Sequence, residues 1–308
     1  MQPLILHHFD WSPFAEKARM CLALKGLAWQ SVQIPMIMPK PDLTLLTGGY
    51  RKTPVLQIGA DVYCDTNLIG RLLEERHPTP SLFENGSRGL SQALAFWADK
   101  AFFEPAAGLS MGINKEVPEA VIEDRKRFFN FMDFDRLEAE VPHMYTQLLG
   151  HLDLLDQHLS DDREFFLGAV PTLADVNVYF VLWLCRTFLP PLHVRLAALP
   201  RVCAWEARVR SLAEARGLNK REDIAAEAAL DVARAATPAA GGGVDADDPL
   251  QLQPGERVSV AADDYGKDPV CGTLHTLQRH EVAVLREHAR VGQVAVHFPR
   301  LGYRVERL

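Results

Sequence analysis

Apolar positions change their spacing along the chain, and each change marks a new kind of unit. Residues 4–8, LILHH, form a short apolar run of the kind a buried strand makes. Phe14, Ala18 and Leu22 then recur every fourth position, one face of a helix that Gly26 ends. "AWQSVQI" alternates as a strand and leads into a Pro-rich loop with room for a short helix. "TPVLQI" and "DVYC" read as two strands around the turn residues Gly59, Ala60 and Asp61. "DTNLIGRLLEERHP" reads as a capped helix halted by Pro78. Residues 1–80 are thus expected to build one mixed sheet of about four strands with helices, an α/β unit.

From residue 87 to 235 the period becomes helical, in stretches such as "VPHMYTQLLGHLDLLDQHL" and "RVCAWEARVRSLAEARG". An all-helical domain is expected there. Residues 236–248, "ATPAAGGGVDADD", have no apolar periodicity and read as a flexible linker. Beyond it, over 249–308, "ERVSVAA", "VCGTLHTL", "HEVAVLRE", "VGQVAVHF" and "YRVERL" are short β-prone runs separated by turns. They predict a small all-β, barrel-like domain of unknown role, able to fold by itself.

Charge narrows the partners. With a net charge of -7 over 308 residues, nothing draws the chain generally to nucleic acid or to an anionic membrane. Small molecules or proteins are the expected partners. Cys21, Cys64, Cys185, Cys203 and Cys271 are scattered and form no CxxC pair, which argues against a disulfide framework or zinc ribbon and fits a reducing cytoplasm. No run approaches the ~18 apolar residues of a membrane helix. The N-terminus also lacks the pattern of a secretory leader.

Three short segments around the predicted sheet combine capping and binding chemistry. Ser12 before Pro13 is a favoured N-cap pair and on that evidence reads first as a cap, with contact to a substrate as the second reading. Thr53-Pro54-Val55 enters a strand through a proline, where a cis bond would leave Thr53 backbone groups able to pair with an extended peptide. Asp65-Thr66-Asn67 puts an acid and a hydroxyl at a helix start, either as a cap or as a receptor for a carboxylate and an amine.

In order, these segments resemble the cytosolic glutathione transferases. "SPFAEKARMCLALKGL" resembles that family's first-helix segment, "TPVL" its cis-proline strand and "DTNLI" its acid-Ser-Asn-Ala-Ile segment. "PTLADVNVYFVLWL" is similar to its capping-box helix, and "LPRVCAWEARVRSL" to its late helix carrying a Pro and a Trp. The resemblance covers residues 4–216 and stops before the C-terminal strands. It implies a thioredoxin-like glutathione-binding domain at 1–80 and an all-α domain at 87–235. It also implies a cytoplasmic homodimer with Asn67 and Arg71 near the subunit contact, and a role in detoxification. Glutathione would be the co-substrate, with no metal.

The same resemblance puts Ser12 at the position contacting the glutathione sulfur, occupied by Ser in theta-like and zeta-like members and by Cys in omega-like and beta-like ones. The surrounding "PFAEKAR" is more omega-like, but a serine can only hydrogen-bond a thiolate, not form a mixed disulfide. Thr53, with Pro54 and Val55, matches the segment holding the cysteinyl part. Asp65 and Thr66 match the pair holding the γ-glutamyl end, and Lys40 the lysine facing the glycyl carboxylate. A free thiol titrates near ~8.5, so a hydroxyl donor at a helix N-terminus would favour the nucleophilic thiolate.

The implied reaction is attack of that thiolate on a hydrophobic electrophile. Two alternatives stand beside it: a non-catalytic binding or scaffold protein acting through the C-terminal domain, and a glutathione-dependent isomerase or dehalogenase. Trp97, Phe102, Phe103 and Met111 mark the region for the second substrate, although such a stripe also suits a core. Thr172-Leu173-Ala174-Asp175 reads as a capping box. His275, His280, His288 and His297 match no ligand spacing, and the helical pair His151 and His158 is too far apart for one ion.

Overall fold

The predicted runs become elements in the predicted order. The structure, a computed structural model, describes residues 2–161, 163–218 and 220–308. The first stretch forms β1 (Ile5–His8), α1 (Pro13–Leu24), β2 (Trp29–Gln33), α2 (Pro41–Thr47), β3 (Val55–Ile58), β4 (Asp61–Cys64) and α3 (Thr66–Arg76). The helical stretch gives α4 (Arg88–Phe96), α5 (Phe103–Ile113), α6 (Glu119–Phe128), α7 (Leu137–His158), α8 (Leu173–Phe188), α9 (His193–Ala197) and α10 (Pro200–Arg216). Then come β5 (Arg221–Asp223), α11 (Ala226–Arg234), β6 (Gly243–Val244), β7 (Arg257–Ala262), β8 (Val270–Leu277), β9 (Glu281–His288), β10 (Gly292–Pro299) and β11 (Tyr303–Arg307). The chain is therefore a thioredoxin-like α/β part, an all-α part and an additional C-terminal β-rich sheet of several strands. No single helix among the described residues is long and apolar enough to cross a membrane.

Contacts divide the chain into two compact units. One holds Met1–Ala15, Ala28–Arg71 and Arg221–Leu308; the other holds Glu16–Leu27 and Leu72–Lys220. Three sequence expectations change as a result.

First, the C-terminal strands do not form a sheet of their own. They continue the thioredoxin-like sheet, which runs β11-β7-β8-β9-β10-β4-β3-β1-β2-β5. β10 lies parallel to β4 with Val296 opposite Val62, and one apolar core joins Ile5, Val55 and Val62 to Val260, Val284, Val296 and Phe298. The seam also holds a buried polar cluster. His297 Nδ1 donates to Glu281 Oε1 at 2.7 Å and Nε2 to Asp61 Oδ1 at 3.0 Å, while the ring stacks on Tyr63 at 4.4 Å. Both ring nitrogens facing carboxylate oxygens requires the imidazolium. Burial opposes that charge, but the two carboxylates win and hold the His297 pKa above its ordinary value.

Second, 236–248 is not a free linker. The Ala239 amide donates to the Asp61 carboxylate, His275 Nε2 donates to Ala239 O at 3.0 Å, and β6 pairs parallel with β8. A Cβ on Gly241 would lie 2.6 Å from the His275 carbonyl oxygen, so this glycine permits close approach rather than flexibility.

Third, residues 221–235 leave the helical domain. β5 pairs parallel with β2, and Ala229, Leu230 and Ala233 of α11 enter the core of the sheet unit. The helical period was legible there; its packing partner was not.

In the helical unit, Asp175 closes the expected capping box on the Thr172 amide at 2.8 Å. Its other oxygen accepts the Phe166 amide at 2.7 Å and Trp205 Nε1 at 2.8 Å. Burial nevertheless pushes its pKa up, as expected of a carboxylate removed from water.

Candidate functional site

Register brings three chain segments to one end of the sheet. His7 of β1 lies opposite Val55 of β3, and Val55 lies opposite Cys64 of β4. The chain leaving β1, the chain entering β3 and the chain leaving β4 therefore share an end. That end carries Ser12, the Thr53-Pro54 pair and Asp65-Thr66. α1 and α3 both begin there, so each adds the positive end of its dipole.

Ser12 is buried, and its Oγ accepts the Ala15 amide at 3.1 Å. It is a true N-cap. Accepting that bond still leaves the hydroxyl its own proton to donate, so capping and thiolate contact are compatible. Cysteine offers no substitute nearby: burial pushes the Cys21 thiol up to about 12 and the Cys64 thiol well above its usual value.

The peptide between Thr53 and Pro54 is cis. Pro54 and Val55 are buried, and Val55 is paired within the sheet on both sides, so its side chain belongs to the core. Lys40, at the head of α2, is buried rather than solvated. Its Nζ donates to Thr53 Oγ1 at 2.8 Å and to Arg51 O at 3.0 Å, tying the loop before α2 to the turn before β3.

Asp65 holds a left-handed backbone, φ 78, which is uncommon outside glycine and clusters at functional positions. One carboxylate oxygen accepts the Asn67 amide at 2.8 Å. The other accepts the Tyr303 hydroxyl at 3.1 Å, and the Tyr303 and Tyr50 hydroxyls lie 2.7 Å apart. Thr66, buried, opens α3. Nearby, Lys52 Nζ pairs with Asp264 at 2.5 Å and sits 4.2 Å from the Tyr265 ring centroid. Sequence reasoning missed Tyr303, Asp264 and Tyr265. No spacing signal could have found them, because the strand pairing that brings them here is long-range.

The region named for a second substrate is partly core. Phe102 and Phe103 are buried, while Trp97 and Met111 are half-buried and Trp97 stacks on Phe102 at 5.3 Å. The histidines also have other occupations: His158 Nε2 donates to Phe166 O at 2.6 Å, and His151 lies edge-on to Trp97.

Residues 6–81 match the family described as glutathione S-transferase, N-terminal domain, and residues 138–208 the glutathione S-transferase, C-terminal domain. A GST-like protein from Pseudomonas syringae is 39% identical over 100% of both chains, with a TM-score of 0.82. A theta class glutathione S-transferase from Xanthomonas axonopodis pv. citri, solved with glutathione bound, is 22% identical over 71% of this chain and 98% of its own, TM-score 0.50. A glutathione transferase family member from Pseudomonas fluorescens, solved with two glutathione bound, is 16% identical over 69% of this chain and 93% of its own, TM-score 0.53. No curated protein matches the chain. Its full-length likeness to the Pseudomonas syringae protein, with both domains matched in order, makes this chain a member of the glutathione S-transferase family.

Proposed function

We propose that the protein binds glutathione at the end of the sheet bearing Ser12, Lys40, Thr53, Pro54, Val55, Asp65 and Thr66, and ionises its thiol for attack on a hydrophobic electrophile. The observation that carries this reading is the shared end: a hydroxyl, a cis-proline turn and an acid–hydroxyl pair, with two helix N-termini. Family members of this fold solved with glutathione bound support it.

Each residue has a task that its chemistry allows. The Ser12 hydroxyl donates to the thiolate, and the start of α1 adds its dipole. The Thr53 main chain pairs with the cysteinyl backbone, as an added strand would. Pro54 fixes that turn and Val55 anchors it in the sheet. Asp65 receives the γ-glutamyl ammonium, Thr66 and the head of α3 receive its carboxylate, and Lys40 supports the glycyl end through Thr53. The working unit is a cytoplasmic homodimer with Asn67 and Arg71 near the subunit contact, and its role is detoxification.

The test is thiolate absorbance of bound glutathione against pH, followed by turnover on a panel of electrophiles. An ionisation below that of free glutathione, with turnover, supports the transferase reading. Binding without turnover assigns the chain to the non-catalytic alternative, and no binding removes both. Light scattering that shows a monomer at micromolar concentration removes the dimer.

A further inference from the structure

The C-terminal strands reach the proposed glutathione site through the Tyr303 hydroxyl. We propose that Tyr303, on the last strand, is a positioning residue whose hydroxyl orients the Asp65 carboxylate to receive the ammonium group of the γ-glutamyl end. This rests on the glutathione reading above.

Proton directions follow from the acceptors. A carboxylate can only accept, so Tyr303 donates to Asp65, and Tyr50 in turn donates to the Tyr303 oxygen. Burial raises both phenols well above their ordinary pKa, which keeps both protons in place at neutral pH. The Asp65 carboxylate is then held at both oxygens, by Tyr303 on one side and the Asn67 amide on the other. Each oxygen keeps a further acceptor direction, so a ligand ammonium can still be bound by a carboxylate that no longer swings.

The support behind Tyr303 is rigid. Its ring packs on Phe298 at 5.5 Å and Tyr50 at 6.5 Å, and β11 is paired along its length with β7. Tyr303 therefore links the C-terminal strands to binding without itself touching the thiol.

The test titrates the full-length protein calorimetrically with glutathione and with a deaminated analogue in which hydrogen replaces the γ-glutamyl amine. Tyr303→Phe should weaken glutathione about tenfold, the scale of losing a hydrogen bond that orients a charged group, and leave the analogue within about twofold. A double variant, Tyr50→Phe with Tyr303→Phe, should reproduce this without leaving the Tyr50 hydroxyl unpartnered, and it carries the test if the single variant does not fold. Equal losses for both ligands, or no loss for either, would overturn the role of Tyr303 while leaving the glutathione reading intact. Wild-type protein that binds neither ligand would overturn the glutathione reading, and this inference with it.

Discussion

The two halves of the sheet are built in different ways. β1, β3 and β4 are four residues long and buried at every position, and the segments that leave or enter them carry the candidate chemistry. β8, β9 and β10 are eight residues long and pair antiparallel, β8 with β9 and β9 with β10, a locally determined meander. The first half carries the candidate site, whereas the second is given over to pairing. They meet where β10 covers β4, which would otherwise be an edge strand offering unpaired N–H and C=O groups.

Removing the second half breaks the comparison most severely. A chain ending at Asp248 exposes β4 and the apolar residues that pack against Val260, Val284, Val296 and Phe298. It should be recovered insoluble or without a cooperative melt. A soluble, monodisperse product melting near the full-length protein would show that β4 tolerates being an edge.

The polar seam comes next. His297→Gln leaves Asp61 and Glu281 without the imidazolium between them, and should cost about 3 kcal/mol, the scale of breaking a buried ion pair by removing one partner. Its pH dependence has a fixed sign. With the folded pKa raised, the contribution is complete below the ordinary histidine value of ~6.5 and disappears as pH rises through the folded value. His7 in the first half has the opposite sense. Buried and donating to Gln57 at 2.8 Å, it is lowered to about 4, so it removes stability as pH falls from ~6.5 toward that value. Denaturant midpoints across pH, with each histidine replaced in turn, would separate an alkaline loss at the seam from an acid loss in β1. A His297→Gln profile identical to wild type on the alkaline side would contradict the seam assignment.

These contrasts explain what the sequence made legible. Every strand from β1 to β4 and from β7 to β11 was readable, because alternation and apolar runs are local signals. Ser12, Thr53 and Asp65 were readable because each sits in a motif at an element boundary. The docking of β10 on β4 was not, since the ladder is long-range and its polar seam uses His297, Glu281 and Asp61, ordinary polar residues whose meaning appears only once paired. Tyr303 was hidden for the same reason. The run of glycines misled because composition cannot distinguish a glycine that moves from one, such as Gly241, that makes room for a backbone.

That last point gives a smaller effect. Gly241→Ala would place a methyl group against the His275 carbonyl and should destabilise by about 1 to 3 kcal/mol, as overpacking commonly does. A flexible linker would accept the alanine without change, or with a slight gain from a stiffer unfolded chain. Thermal melting of the two proteins decides between them.

The smallest effect falls on Ser12, where folding and chemistry share one side chain. Its Oγ caps α1 through the Ala15 amide, so Ser12→Ala should lower stability by about 1 kcal/mol, whereas Ser12→Gly, a tolerated N-cap, should cost only a few tenths of a kcal/mol. Neither variant has a hydroxyl to donate. If Ser12 acts only as a cap, thiolate formation in bound glutathione should follow the melting curves, impaired in the alanine variant and nearly normal in the glycine variant. If it also donates to the thiolate, both variants should lose the lowered ionisation equally, although their stabilities differ. The contrast between the two substitutions therefore separates the local demand of the helix from the chemistry carried by this half of the sheet.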